Sequence, residues 1–129
     1  HIVNTAEDEK NGRIEYLVVS ILFKMGDENK FISDFRDLIP EEIDSVHNIQ
    51  SGRVRLSDLL MVTRKDKSEE GLYFYKGSLT TPPYSESVNW YIDKHIYEAS
   101  PEQIQTIKRI EGNNARQIQE IHERVIEGS

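Results

Sequence analysis

The 129-residue sequence contains no cysteine, so disulfide bridges, thiolate metal sites and cysteine nucleophiles are excluded. This absence fits a reducing compartment and favours an intracellular location. No apolar run approaches the roughly 18 residues that a membrane-spanning helix needs, so we expect no membrane span. The N-terminal residues have the pattern of neither a signal peptide nor a transit peptide. Because the sequence begins with His1 rather than Met, we expect a piece of a longer protein.

Positive charge is also scarce. The chain carries 16 Lys and Arg residues against 23 Asp and Glu residues, for a formal net charge of −7. This balance argues against nucleic acids and anionic membrane surfaces as the main partners. The sequence has no glycine-rich phosphate loop and no G-x-S-x-G motif. Its length fits one domain with a core of its own.

Strand patterns dominate what is present. Residues 16–23 are almost continuously apolar and predict a buried central strand, with a short helix as the alternative. Residues 72–77 and 87–92 predict two more strands, and residues 94–99 predict an edge-like strand. Residues 53–56 predict a short fifth strand. In residues 87–92, strand alternation places one set of apolar side chains on a single face: Val88, Trp90 and Ile92.

Helical patterns are fewer. Residues 27–40 predict one helix that ends at Pro40, because apolar residues recur at helical spacing: Phe31, Phe35, Leu38 and Ile39. A second helix is predicted to begin after Ser100, with Pro101 at its first position and Gln103 completing a capping box. The fold class predicted from these patterns is α+β and strand-dominated.

The segment YKGSLTTPPYSESVNW, residues 75–90, allows two interpretations. It is either a joint between two strands or the floor of an active site. We expect Gly77 to allow an unusual backbone angle, and the Pro82–Pro83 bond is a candidate for the cis form. The four histidines have no close metal-ligand spacing, so each one taken alone is more typical of a surface or hydrogen-bonded residue.

The same segment resembles the signature of the α-class carbonic anhydrases, in which G-S-L-T-T-P-P is followed by S-E-x-V-x-W. The resemblance extends to the first residues, HIVN, and to a tail pattern: Asn114, Arg116, Gln119, Arg124 and Ile126. It covers nearly the whole chain but only half of the family domain. It implies that residues 1–129 are the C-terminal part of a single α-carbonic-anhydrase-like domain. The implied fold is half of a large, twisted, mixed and mostly antiparallel sheet with short peripheral helices.

The resemblance implies zinc-dependent, reversible hydration of CO2 to bicarbonate. Thr80 would accept a hydrogen bond from the zinc-bound hydroxide, and Thr81 would line the polar side. His1 would be the third zinc ligand, or would align with a neighbouring family histidine that is not a ligand. The implied CO2 pocket has an apolar wall of five residues: Val3, Val18, Leu79, Val88 and Trp90. The implied structural supports of the tail are Asn114, Arg116 and Gln119. The first two would tie the tail to the loop that carries Thr80.

Two zinc ligands and the glutamate that orients the threonine would come from outside these residues. The resemblance therefore implies a partner, either a companion chain or an N-terminal half that completes the domain. An isolated half would expose sheet edges and an apolar face, so we expect contact with such a partner. The alternative is a carbonic-anhydrase-like domain without activity that serves binding or assembly.

Overall fold

The computed structural model describes residues 1–42, 44–60 and 70–129, and for Leu60 only the backbone. Its described strands are β1 (Ile2–Glu7), β2 (Ile14–Met25), β3 (Leu72–Gly77), β4 (Val88–Ala99) and β5 (Glu127–Gly128). They form one sheet in the order β1-β2-β4-β3-β5. The described helices are α1 (Lys30–Ser33), a 3-10 helix (Arg36–Leu38), α2 (Leu56–Leu60) and α3 (Pro101–Glu111). Within these ranges, no helix has the length and apolar character that crossing a membrane requires.

Two compact units divide the chain. The first comprises His1–Leu22, the described part of Asp66–Ile96, and Ala115–Ser129. The second comprises the described part of Phe23–Lys65 together with Tyr97–Asn114. The predicted site residues lie in the first unit, with the exception of Asn114.

Antiparallel pairing fixes which side chains share a face in the first unit. Strands β1 and β2 pair with Val3 opposite Val18, and β3 and β4 pair with Tyr75 opposite Trp90. Directly paired residues project to the same side of a sheet. On one face, a core of Val18, Val88 and Trp90 is buried, and partly buried side chains pack against it: Tyr16, Tyr75, Leu79 and Ile92.

The strand predicted over residues 16–23 is confirmed and extended as β2, which lies between β1 and β4. The predicted burial holds for only part of this strand. Val18 and Ser20 are buried, whereas Leu17 and Leu22 are 40% and 47% exposed. Alternation along a strand puts Leu17 on the face opposite to Val18, so the apolar run covers both faces while the core forms on one.

The two strands predicted over residues 87–92 and 94–99 are one continuous strand, β4, so residues 94–99 do not form a separate edge-like strand. Asp93 marks the predicted break, but it is only 4% exposed, and its Oδ1 accepts a hydrogen bond from the His95 N–H at 3.0 Å. This bond gives the buried Asp93 carboxylate a local partner, and the Asp93 position remains in the ladder opposite Leu72 of β3. Strand β4 lies between β2 and β3 in the sheet order.

The long helix predicted over residues 27–40 is also wrong, because α1 and the 3-10 helix replace it. Asn29 caps α1 by accepting a hydrogen bond from the Ile32 N–H at 3.3 Å. Phe35 then has φ −129° and ψ −15°, which is not helical and separates the two pieces. The rings of Phe31 and Phe35 still contact each other edge to face, with centroids 5.3 Å apart.

The short strand predicted over residues 53–56 is absent from the described residues around it. The Arg53 N–H bonds to the Gln50 carbonyl at 3.1 Å, and Gly52 has φ +82°, so this stretch is a turn. Leu56 then begins α2. The β-branched Val54 favoured a strand, but the turn is formed by a backbone hydrogen bond and by the left-handed Gly52. Residues 64–71, whose charged and polar composition predicts a solvated loop, lie mostly outside the described residues.

The capping box of α3 is confirmed. Ser100 accepts a hydrogen bond from the Gln103 N–H, and the Gln103 side chain accepts one from the Ser100 N–H. Gln103 is fully buried, and its amide also spans to the Asn29 backbone: Nε2 donates to the carbonyl at 2.7 Å and Oε1 accepts from the N–H at 2.9 Å. A hydrogen bond from its own backbone N–H, and then one from Ser100, lowers the pKa of Glu102.

Candidate functional site

The site is built on the hairpin of β3 and β4 and on the loop of residues 78–87 between them, which we call the threonine loop. Backbone hydrogen bonds close this loop on itself. The Leu79 N–H donates to the Ser85 carbonyl at 3.0 Å, and the Tyr84 N–H donates to the Thr81 carbonyl at 2.9 Å. The Pro82–Pro83 bond is cis, as the sequence suggested. The loop is therefore a defined structure held by its own backbone.

Trp90 anchors the threonine loop to the sheet. Its indole Nε1 donates to the Ser78 carbonyl at 3.1 Å, and its ring stacks on Tyr75 with centroids 6.4 Å apart and planes 13° from parallel. With 6% of its surface exposed, Trp90 belongs to the buried core. The hydrogen bond satisfies the buried indole N–H and fixes the first residue of the loop.

Gly77 has a different role from the one expected. Gly77 is not among the described glycines that have a positive φ. Instead, a Cβ at this position would lie 2.9 Å from Tyr75 Cε2 and 3.1 Å from Trp90 Cδ1. Only a residue without a side chain allows these two rings to pack beside the end of β3.

The predicted apolar wall comes together in four of its five members. Val18, Val88 and Trp90 form the buried cluster, and Leu79 packs against it. Val3 shares this face through its pairing with Val18 but remains 56% exposed. Each of the five residues taken singly is typical of a core, and the structure places three of them in the buried core and a fourth against it.

The two threonines lie at the surface of the loop. Thr80 lines a cavity of about 390 Å³ together with Tyr75, Ser78, Trp90 and residues of the C-terminal tail. Thr81 is exposed, and its carbonyl supports the turn by accepting the Tyr84 N–H. Thr80 therefore lies beside the aromatic end of the wall.

His1 lies at the start of β1, and its ring contacts Trp90 edge to face with centroids 5.1 Å apart. Across the described residues, no group of three His, Cys, Asp or Glu side chains is placed to hold a metal ion. His1 is thus adjacent to the wall but is not part of a described ligand cluster.

The three predicted supports differ from one another. Arg116 Nη1 donates to Ser78 Oγ at 2.8 Å and to the Leu79 carbonyl at 3.2 Å, which joins the tail to the threonine loop. Asn114 does not follow the expectation, since its amide donates to Glu111 at 2.8 Å, at the end of α3. Gln119 donates to the Gln117 carbonyl at 2.9 Å, a contact within the tail.

Sequence reasoning missed the roles of Tyr75 and Tyr84. Tyr75 and Gly77 lie on the same face of β3, because they are two residues apart. The position of Tyr75 on the core face of this strand could have indicated its stacking on Trp90. Tyr84 has φ +59°, and its ring lies 4.1 Å from the Arg116 guanidinium carbon. Nothing in the local sequence signals that contact, because its partner lies in the tail.

Comparisons with known proteins agree on a family. The family model described as eukaryotic-type carbonic anhydrase matches residues 1–129. The chain is 31% identical over 115 residues to dioscorin dioA3 of Dioscorea japonica, covering 88% of this chain and 38% of that protein. It therefore spans well under two thirds of the length of this relative.

Solved structures give the same result. The α-carbonic anhydrase of Thermovibrio ammonificans, solved with the inhibitor sulfanilamide, matches with a TM-score of 0.71 and 33% identity over 91% of this chain and 48% of that one. The Photobacterium profundum α-carbonic anhydrase matches with a TM-score of 0.73 and 30% identity, over 96% and 52%. The predicted fold class, a strand-dominated half of this fold, is confirmed. That residues 1–129 are the C-terminal part of one domain stays a prediction.

Proposed function

Because the chain belongs to the eukaryotic-type carbonic anhydrase family, we propose that it forms one side of an active site for the reversible hydration of CO2 to bicarbonate. The observation that carries this proposal is the anchoring of the threonine loop on the apolar wall. Trp90 is both a wall residue and the donor that holds Ser78, two positions before Thr80. A polar group and an apolar surface are thereby brought side by side.

The chain's own residues suit an uncharged substrate and an anionic product. CO2 has no charge, so a wall of Val18, Leu79, Val88 and Trp90 can receive it without loss of hydrogen bonds to water. Bicarbonate is an anion and needs donors. The Thr80 hydroxyl can both donate and accept, and its backbone N–H is a second donor at the same residue. In this proposal Thr80 is the main catalytic residue of the chain, and Thr81 lines the polar side.

The zinc ion that the family implies does not fit the donors that the described residues provide. A three-imidazole site needs three histidines around one point, and no cluster of three ligand side chains is placed for this in residues 1–42, 44–60 and 70–129. We therefore propose His1 as one ligand only. Two further ligands and the orienting glutamate would come from a segment outside these residues, either a companion chain or an N-terminal half.

The alternative is a domain without catalysis that serves binding or assembly. The edge-to-face contact between His1 and Trp90 favours it, because this contact gives the histidine a packing role that needs no metal. Under this alternative the wall is a structural core, and Thr80 is a surface residue of a stable turn.

Zinc content and CO2 hydration, measured on the full protein that carries this sequence, separate the two. With the enzyme proposal, we expect about one zinc per molecule, and we expect Thr80→Val to lower kcat/KM roughly 100-fold with zinc content unchanged. Thr5→Val, at an exposed position on β1, is the matched control and should leave the rate unchanged. Absence of both zinc and hydration would support the alternative. Bound zinc with an unaffected Thr80→Val rate would overturn the role of Thr80.

A further inference from the structure

Tyr84 lies at a strained point of the threonine loop. Its φ of +59° is in the left-handed region, which residues with a Cβ rarely adopt. The turn that ends at Tyr84 is closed by its N–H bonding to Thr81. This backbone conformation, together with the turn, fixes the position from which the phenol ring leaves the loop.

The ring meets the guanidinium of Arg116. The Arg116 Cζ lies 4.1 Å from the centroid of the Tyr84 ring, well within the distance of a cation–π contact. The same guanidinium donates from Nη1 to Ser78 Oγ and to the Leu79 carbonyl. Arg116 is half-buried. One planar group therefore joins the late part of the loop, at Tyr84, to its early part, at Ser78 and Leu79.

The bond to the Leu79 carbonyl has a consequence for the next residue. The Leu79 carbonyl and the Thr80 N–H belong to one peptide plane, and the cis bond of the described chain is Pro82–Pro83. In a trans peptide, the C=O and the N–H point in opposite directions. When Arg116 holds the Leu79 oxygen, it also directs the Thr80 N–H to the other side of the loop.

We propose that Tyr84 is a positioning residue: its ring holds the Arg116 guanidinium, and through it the peptide plane that presents the Thr80 N–H. This inference rests on the proposed function, in which that N–H faces an anionic product. The start of the loop is held at Ser78 by two hydrogen bonds. Trp90 donates to the Ser78 carbonyl, and Arg116 donates to the Ser78 hydroxyl. The orientation of Thr80 thus depends on a contact between the loop and the tail.

The test uses Tyr84→Leu, which removes the ring face, and Tyr84→Phe, which keeps it. A matched control is Tyr73→Leu, because Lys94 Nζ lies 5.1 Å from the Tyr73 ring centroid in the same unit but away from the loop. The first readout is the position of the Thr80 amide and of the Trp90 indole N–H in nitrogen–proton NMR spectra. Trp90 is the only tryptophan of residues 1–129, so it gives the only indole signal of this part of the protein.

We expect Tyr84→Leu to shift the Thr80 amide signal while Val18 and Val88 keep theirs, and Tyr84→Phe and Tyr73→Leu to leave Thr80 in place. Arg116→Lys, which keeps the charge but loses the planar fork, should reproduce the Tyr84→Leu shift. An unshifted Thr80 in Tyr84→Leu would overturn the proposal. So would a Tyr84→Phe spectrum as altered as that of Tyr84→Leu, or general unfolding of both Tyr84→Leu and Arg116→Lys, because each would give Tyr84 another role.

The second readout is activity in the full protein. If CO2 hydration is present, Tyr84→Leu should lower kcat roughly tenfold with unchanged zinc content and unfolding temperature, and Tyr84→Phe should restore it. A rate that follows the unfolding temperature instead would contradict positioning. If the protein proves inactive, the proposed function fails, but the NMR shift of Thr80 still decides whether Tyr84 sets the loop.

Discussion

Replacing Gly77 with alanine tests the packing between β3 and Trp90. The new methyl group would lie 2.9 Å from Tyr75 Cε2, 3.1 Å from Trp90 Cδ1 and 3.3 Å from Trp90 Nε1. Trp90 is only 6% exposed and is bonded through Nε1 to Ser78, so the indole cannot move away freely. The methyl group must displace Tyr75, bend the end of β3, or break the indole hydrogen bond.

Two opposing effects set the magnitude. Crowding of a packed core typically destabilises by about 1–3 kcal/mol. Because the backbone angles of Gly77 are open to any residue, alanine also stabilises by about 0.4–1 kcal/mol through the unfolded chain. We expect a net loss of about 1–2 kcal/mol, which lowers the unfolding temperature by roughly 4–8 °C in a chain of this size.

The assay is thermal unfolding followed by circular dichroism and by Trp90 fluorescence. Gly52→Ala is the control: Gly52 has φ +82° and nothing within 4 Å of an added Cβ, so it should lose roughly 1 kcal/mol through backbone strain alone and leave Trp90 emission unchanged. Gly77→Ala should change both stability and emission. An unfolding temperature that stays the same or rises, with unaltered emission, would refute the packing argument.

Two further predictions concern α3. Gln103→Leu leaves backbone groups of Asn29 and Ser100 without their hydrogen-bond partner, so we expect it to destabilise the protein by about 3 kcal/mol in denaturant unfolding. The control Gln105→Leu, on the exposed side of the helix, should change the stability little. In the folded protein, the pKa of Glu102 lies below its ordinary value of 4.5. The ionised carboxylate therefore contributes stability at pH values above 4.5, and this contribution is lost as the pH falls through the lowered pKa. The stability difference between wild type and Glu102→Gln should therefore disappear on acidification, and a difference constant between about pH 6 and pH 2 would contradict this.

The sequence was informative where a capping pattern or a strand alternation decides the structure. The capping box at Ser100 and Gln103 and the one-sided alternation of Val88 and Trp90 both depend on short spacings. At residues 77–83 the glycine and the prolines indicated a joint between two strands, and the family resemblance gave this loop its functional interpretation. These features could be predicted because each relies on bonds or periods within a few residues.

Several features that escaped prediction depend on partners distant in the sequence, whereas the turn closed by Arg53 and Gln50 is local. Strand β1 has mostly exposed side chains and shows its strand character through pairing with β2. The close approach at Gly77 requires knowledge of where Trp90 lies, and the contact between Tyr84 and Arg116 joins the loop to the tail. Local propensity carries no information on such contacts, so pattern reasoning assigned Gly77 a backbone role instead of a packing role.

The amide of Gln103 also bears on the order in which the second unit folds. Its bond to Ser100 spans three residues, whereas its bonds to Asn29 and Ser33 span 74 and 70 residues. Closing a loop of that length loses chain entropy before any contact can compensate. We therefore expect the capped helix end to form early and its attachment to the Asn29 turn to form late. Interactions made after the transition state govern the unfolding rate rather than the folding rate. This single buried amide is thus expected to act mainly on how long the second unit stays folded.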